Sequence, residues 1–291
     1  MEKILLTGAT GFLGSHILKK LLQVGKDVVV IIRKESSLDR INNLKGFSVF
    51  VINNDFSNIK DLYKEYSINI IIHLATDYGR DLSNSSVLSS NVTFPSKLIE
   101  LADPKKLKLI INTDTFSSKF QDSSYLKEYI TSKKIFKKYL KSIKDIQIFT
   151  LQLEHIFGEF DSKGKFFTFL VESMLNNQKF IKLTLGTQKR DFIYVSDVVD
   201  AYLTVLNNRK SLKNYEEFEV GRGFSISVRE FVSIIHKVIG SKSKLLFGAI
   251  ETRLDEIQDS KANNLALYSL GWKPNFTLEM AIKRILVKLN I

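Results

Sequence analysis

Nearly continuous apolar runs alternate along the first half of the chain with segments whose apolar residues recur every three or four positions. Lys3–Thr7, Asp27–Ile32, Phe47–Ile52, Asn69–Leu74, Leu107–Asn112 and Ile146–Leu151 read as strands. Their Val, Ile and Leu residues follow one another instead of alternating with polar ones. That pattern predicts strands buried on both faces, in a parallel sheet under helices. Leu13–Val24 sets Ile17, Leu18, Leu21 and Leu22 on one helical face. Strand–helix alternation from the first residues predicts an α/β fold with a doubly wound parallel, Rossmann-type sheet. No internal repeat or low-complexity segment interrupts it.

After about Leu153 the rhythm changes. A loop over Gly158–Gly164 precedes an apolar helix at Phe166–Leu175, a strand at Arg190–Val195 and a helix at Val198–Leu206. Further helices are predicted at Val228–Val238 and Leu278–Leu289. The expected division is a dinucleotide-binding domain of residues 1–158, to which 187–218 return. Residues 159–186 and 219–291 form a smaller C-terminal, substrate-binding lobe closing over the cleft.

Composition narrows the chemistry. The 291 residues are 44% hydrophobic, enough for a sizeable core, and contain no cysteine. Disulfide frameworks, thiol catalysis and zinc–thiolate sites are thereby excluded, and no metal site is expected. Mean hydropathy is −0.03, no apolar run approaches membrane length, and the first residues run straight into a strand without a signal-peptide pattern. The expectation is a cytoplasmic protein with no membrane partner. The net charge of +12 suits an anionic ligand. Its densest cluster, Lys133, Lys134, Lys137, Lys138, Lys141 and Lys144, is interleaved with Phe136, Tyr139, Leu140 and Ile143. This reads as an amphipathic helix with a solvated face, not as a nucleic-acid surface.

Thr7-Gly8-Ala9-Thr10-Gly11-Phe12-Leu13-Gly14 follows a predicted strand and opens a predicted helix. In that context Gly8 permits a tight turn, Gly11 lets the backbone approach a pyrophosphate, and Gly14 allows close helix–strand packing. The helix N-terminus offers N–H groups to phosphates. The spacing, Gly-x-x-Gly-x-x-Gly, departs from the commoner Gly-x-Gly-x-x-Gly. The second strand ends in Arg33, where NAD binders carry an acid for the ribose 2′-hydroxyl; a guanidinium there favours the 2′-phosphate of NADP. Asp55, beside Phe56 beyond the third strand, either accepts from the adenine amine or starts the next turn. His73 reads as a core histidine.

Tyr129 and Lys133 stand four residues apart in Tyr-Ile-Thr-Ser-Lys, a spacing that puts a phenol and an ammonium on one helical face. The cation is expected to draw the phenol's pKa down from about 10 towards working pH. A phenol so placed gives a proton to a carbonyl oxygen while hydride reaches the carbon.

These pieces, with His73-Leu74-Ala75, Asn91, Thr113 at a strand end and Arg190-Asp191-Phe192-Ile193-Tyr194-Val195, resemble the extended short-chain dehydrogenase/reductase family, nucleotide-sugar branch, over essentially the whole chain. Thr113-Asp114-Thr115-Phe116, Leu153-Glu154-His155-Ile156-Phe157-Gly158 and Gly271-Trp272-Lys273-Pro274-Asn275-Phe276 are similar to segments of that branch's CDP-4-keto-3,6-dideoxyhexose 4-reductases. The resemblance implies that Thr113 bonds the sugar's C4 oxygen, that Tyr129 protonates it, and that Lys133 holds the nicotinamide ribose. It implies a cofactor site of Gly8, Thr10, Gly11, Phe12, Leu13, Gly14, Arg33, Asp55, Phe56, Leu74, Ala75 and Asn91 with Tyr129 and Lys133. It also implies a substrate site of Tyr78, Asp114, Thr115, His155 and Lys165, with Arg190 and Arg253 on the pyrophosphate. A homodimer through the Tyr129 helix and the one after Asn91 follows from the resemblance, and the stripe of Phe136, Tyr139 and Leu140 would permit it.

Dehydratases of the branch carry Thr-Asp-Glu, whose Asp and Glu expel the C6 hydroxyl as acid and base. Thr115 stands in the third position here and cannot act as a base. The expectation is therefore an NADPH-dependent C4-ketoreductase acting on a nucleotide sugar, CDP-linked, in the making of O-antigen or another surface polysaccharide. A C4-epimerase and a catalytically silent dinucleotide-binding regulator remain as alternatives.

Overall fold

The computed structural model describes residues 2–79, 84–120 and 126–290, with residues 84 and 85 described in backbone only. Strands β1 (Lys3–Thr7), β2 (Asp27–Arg33), β3 (Phe47–Ile52), β4 (Ile68–His73), β5 (Leu109–Thr115) and β6 (Gln147–Leu153) lie in one seven-stranded sheet. The strand Tyr215–Val220 completes it at the β6 edge, giving the order (Tyr215–Val220), β6, β5, β4, β1, β2, β3. Pairing from β3 through β5 is parallel, with Leu5 opposite Val29 and Ile71. Both neighbours of β1 are therefore Val/Ile runs, and Leu5, Val29 and Ile71 are all buried. Burying each such side chain contributes roughly 1.5–3 kcal/mol.

The helices of this half are α1 (Phe12–Gln23), α2 (Ile59–Glu65), α3 (Asn84–Leu88), α4 (Phe94–Glu100) and α5 (Lys127–Ser142). A one-turn π-helix, Ser89–Thr93, joins α3 to α4. The order of strands reverses at β1, which lies between β4 and β2. In such sheets the space beyond the strand ends at the reversal is where ligands bind.

The chain divides into two compact units, Met1–Gln152 with Val205–Phe218, and Leu153–Thr204 with Glu219–Ile291. Residues 153–158 and 187–204, expected with the first domain, cluster with the second. That unit holds α6 (Phe166–Leu175), most of α7 (Val195–Asn208), α8 (Val228–Ile239), α9 (Leu265–Ser269) and α10 (Leu278–Lys288). The expected strand Arg190–Val195 is two strands, Lys189–Arg190 and Phe192–Tyr194. They part because Asp191 turns inward, its carboxylate accepting from the N–H groups of Arg222, Gly223 and Ala262. Asp197, on α7, similarly accepts from the N–H groups of Asn275 and Phe276, and its own carbonyl accepts from the Trp272 indole. The Gly271–Phe276 motif is thus a fastening of the second unit.

The apolar stripe of α5 is not a free surface. Phe136 and Leu140 are buried in the cluster that contains Leu5, Ile71 and Ile110, and Tyr139 packs on it. The reason is the sheet: the face that carries these residues is the one α5 must lay on it. Ile135 and Leu88 are the exposed apolar side chains of α5 and α3. No described helix is long and apolar enough to cross a membrane.

Candidate active site

The glycine turn is as tight as the sequence requires. Gly8 has φ +69°, and a Cβ there would lie 2.7 Å from the Ala75 nitrogen; one on Gly14 would lie 2.0 Å from the Gly8 carbonyl oxygen. Gly11 is exposed and caps α1 with its backbone, and no described side chain caps that helix end. An open helix N-terminus under bare backbone suits a phosphate-bearing dinucleotide. One hydroxyl organises the floor. Thr7 Oγ1 accepts from the N–H groups of Leu74 and Ala75, both at 3.1 Å, and lies 2.8 Å from His73 Nδ1. With both lone pairs used, its hydrogen goes to Nδ1, so the ring proton of His73 is on Nε2. Burial, with the nearby Lys133 charge, depresses the His73 pKa to about 3, so the imidazole stays neutral.

Arg33 ends β2 with an exposed guanidinium 3.9 Å from a Glu35 carboxylate oxygen. Arg40, which the sequence reading missed, donates to the Thr10 carbonyl and so stands beside the glycine turn. It lies in an irregular segment where no periodicity marks it. Asp55 sits in the turn after β3: its carboxylate accepts from the N–H and hydroxyl of Ser57, while Phe56 adopts φ +63°.

Asn91 is buried and fully committed to protein partners. Its side-chain oxygen accepts from the Asp77 N–H at 2.7 Å and the Thr76 hydroxyl at 3.2 Å. Its amide donates to the Asp77 carbonyl at 2.8 Å and Ser132 Oγ at 2.9 Å. Ser132, unmarked by the sequence reading although it sits within Tyr-Ile-Thr-Ser-Lys, passes its own hydroxyl to the Tyr129 carbonyl. The segment after β4 is thereby bolted to α5, and Tyr78 lies against Tyr129 with ring centroids 4.9 Å apart.

Thr113, Tyr129 and Lys133 come together as expected. Lys133 Nζ donates to the Thr113 carbonyl at 3.0 Å and lies 5.8 Å from the centre of the Tyr129 ring. Lys133 is not on the solvated face of α5; it is 4% exposed. Burial lowers its pKa to about 8, against the opposing influence of Asp114. The expected fall in the Tyr129 pKa is overturned. Burial, then the neighbouring Tyr78 and Asp114, push the phenol well above 10, and hydrogen bonds from Thr115 and Thr76 only partly offset this. Desolvation is the largest cause, because burial strips water from the charged phenolate. The phenol is held in its proton-donating form.

Asp114 is buried. Its carboxylate accepts from the Thr115 N–H and the Ser118 hydroxyl and lies 3.6 Å from Lys137 Nζ. Lys137 in turn pairs with Glu217. In the second unit, Arg190 is 5% exposed and its guanidinium pairs with Glu256. His155 lies 3.8 Å from a Glu154 carboxylate oxygen and edge-on to Phe192; burial lowers its pKa. Lys165 caps α6 with its backbone, and Arg253 is exposed.

Residues 4–221 match the family described as the NAD dependent epimerase/dehydratase family. The chain is 38% identical to CDP-abequose synthase of Salmonella typhimurium, across 99% of this chain and 98% of that protein. It is 28% identical to a putative UDP-glucose 4-epimerase of Methanocaldococcus jannaschii, across 97% and 96% of the two chains. The fold superposes on the UDP-glucose 4-epimerase of Thermotoga maritima, solved with UDP-glucose, with a TM-score of 0.84 at 19% identity over 99% and 98% of the chains. MoeE5 in complex with UDP-glucuronic acid and NAD gives 0.82 at 21% identity over 99% and 100%.

Proposed function

This chain belongs to the NAD-dependent epimerase/dehydratase family, that is, to the extended short-chain dehydrogenases/reductases, and we propose that it is an NADPH-dependent nucleotide-sugar C4-ketoreductase. The substrate is a CDP-4-keto-3,6-dideoxyhexose and the product an abequose-type sugar for O-antigen or another surface polysaccharide, made in the cytoplasm. The observation that carries the reading is the convergence of buried Lys133 and a buried, protonated Tyr129 with half-buried Thr113.

Gly8, Gly11, Gly14 and the opening turn of α1 hold the dinucleotide's pyrophosphate, and Arg33 holds the 2′-phosphate. Bound there, NADPH supplies a hydride equivalent to C4 of the sugar. The Thr113 side chain orients the C4 oxygen and Tyr129 donates its proton to it, with Lys133 stabilising the phenolate left behind. Reduction starts from the protonated phenol, the form that burial preserves, whereas the oxidative first half of an epimerase cycle starts from the phenolate. Thr115 supports the same reading, since it replaces the carboxylate of a dehydratase. Arg190 and Arg253 take the substrate's pyrophosphate. The reading includes a homodimer through α5 and the helix after Asn91, α4, with Ile135 as the exposed apolar residue of α5.

The test is consumption of NADPH with freshly generated CDP-4-keto-3,6-dideoxyhexose, with the sugar identified by NMR. Reduction at C4 is expected. Interconversion of C4 epimers without net NADPH consumption would replace the reading by an epimerase.

A further inference from the structure

Arg190 already carries an anion. Its guanidinium donates to Glu256 and to the Lys189 carbonyl, and it is among the most deeply buried cations of the chain. We propose that Glu256 is the anion that the substrate's diphosphate replaces on Arg190, an affinity-setting residue that leaves when the nucleotide sugar binds. The proposal rests on the nucleotide-sugar reading and deepens it.

The two partners are held very differently. Arg190 lies on a strand flanked on both sides, antiparallel to Ile226–Ser227 and parallel to Asp259–Ser260. Its backbone is fixed. Glu256 sits in 251–258, a stretch without helix or strand, three residues after exposed Arg253 and two after fully exposed Leu254. Among the described residues, Arg190 is the only side chain that hydrogen-bonds the Glu256 carboxylate. Two further carboxylates, Glu154 and Asp259, act electrostatically on Arg190. Both are tethered: Glu154 accepts from the Ser260 hydroxyl at 3.0 and 2.8 Å, and Asp259 from the Ser225 hydroxyl at 2.6 Å.

A diphosphate arriving at a guanidinium already faced by three carboxylates meets like-charge repulsion, and the least tethered carboxylate is the one that yields. A guanidinium binds carboxylate and phosphate with the same planar fork, so one exchanges for the other without moving the arginine. The same displacement carries Arg253, which the family resemblance places on the pyrophosphate, along with Glu256.

Glu256→Gln distinguishes this role from a structural ion pair by the sign of its effect. Calorimetry with CDP is expected to show a Kd about tenfold lower in Glu256→Gln than in wild type, a difference of ~1.4 kcal/mol. Glu256→Asp, with a shorter carboxylate, should fall between them. Because Arg190 loses a partner in the free protein, melting with and without CDP accompanies the titration. The CDP-induced rise in Tm should widen in the variant, the free form having dropped. An unchanged or weaker CDP affinity in Glu256→Gln, or a narrower Tm shift, overturns the assignment and makes Glu256 a positioning residue for Arg190. Those results leave the nucleotide-sugar reading standing so long as wild type binds CDP and Arg190→Met does not. A wild type that binds none of CDP, UDP, dTDP or GDP overturns both.

Discussion

Lys133 Nζ and the Thr113 carbonyl oxygen are 3.0 Å apart, so α5 and the C-terminal end of β5 are joined through two residues that the sequence singles out. The bond holds a charged amine in a buried place, and its pKa of about 8 makes that charge sensitive to mild alkali.

Activity should therefore decline as pH rises through about 8, since the ammonium that stabilises the phenolate is present below that value and lost above it. kcat/KM against pH reports the free enzyme's groups. In Lys133→Arg, whose guanidinium stays charged, the residual activity should lose this limb. An unchanged limb would show that another group produces it.

Tyr129→Phe keeps the ring against Tyr78 and removes the proton. Turnover should fall by about 10²–10⁴-fold, the usual contribution of a general acid, with NADPH affinity retained. His73→Gln should act through folding, because His73 is neutral and its Nδ1 is held by Thr7. Near-wild-type turnover by Tyr129→Phe refutes the catalytic assignment.

Arg33→Ala should weaken NADPH by about tenfold or more, the loss of a charge-assisted bond, and leave NADH nearly unaffected. Arg40→Ala should show a smaller loss for both cofactors through the Thr10 carbonyl it supports. Calorimetry with the two cofactors decides. NADH binding as tightly as NADPH to the wild type removes the basis of the preference.

Burial raises the Asp197 pKa from 3.8 to about 6 despite two backbone donors. The folded state then binds this proton more tightly than the unfolded state. Its contribution to stability is present below pH 4 and lost as pH rises to about 6. The Tm of Asp197→Asn relative to wild type should rise between pH 4 and pH 7. A difference that stays flat over that range contradicts the assignment.

Light scattering at micromolar concentration should give a dimer, and Ile135→Glu, on the exposed face of α5, should shift it towards monomer. A monomeric wild type removes the interface from the proposal.

Most of the sheet was legible because its strands are dominated by Val, Ile, Leu and Phe, although at the β3 edge Val49 and Val51 are exposed and not buried on both faces. The strand Tyr215–Val220 was not, since Tyr-Glu-Glu-Phe-Glu-Val at an edge is half polar and resembles a loop. Tyr129, Lys133 and the glycines were legible from spacing. The direction of the Tyr129 shift was not, because i and i+4 spacing gives proximity and says nothing of how far both groups are removed from water. Arg40, Ser132 and Glu256 act through partners 30, 41 and 66 residues distant in sequence, separations that no local pattern encodes.

Asn91 spends every hydrogen-bonding position it has on Thr76, Asp77 and Ser132. The loop that presents Tyr78 and the helix that presents Tyr129 consequently form one bracket, and a designer cannot retune either alone. Redesign for a different sugar would therefore do best to leave 76–78 and 129–133 untouched and vary the residues of the second unit, where Glu256 and Arg253 lie in chain free of helix and strand.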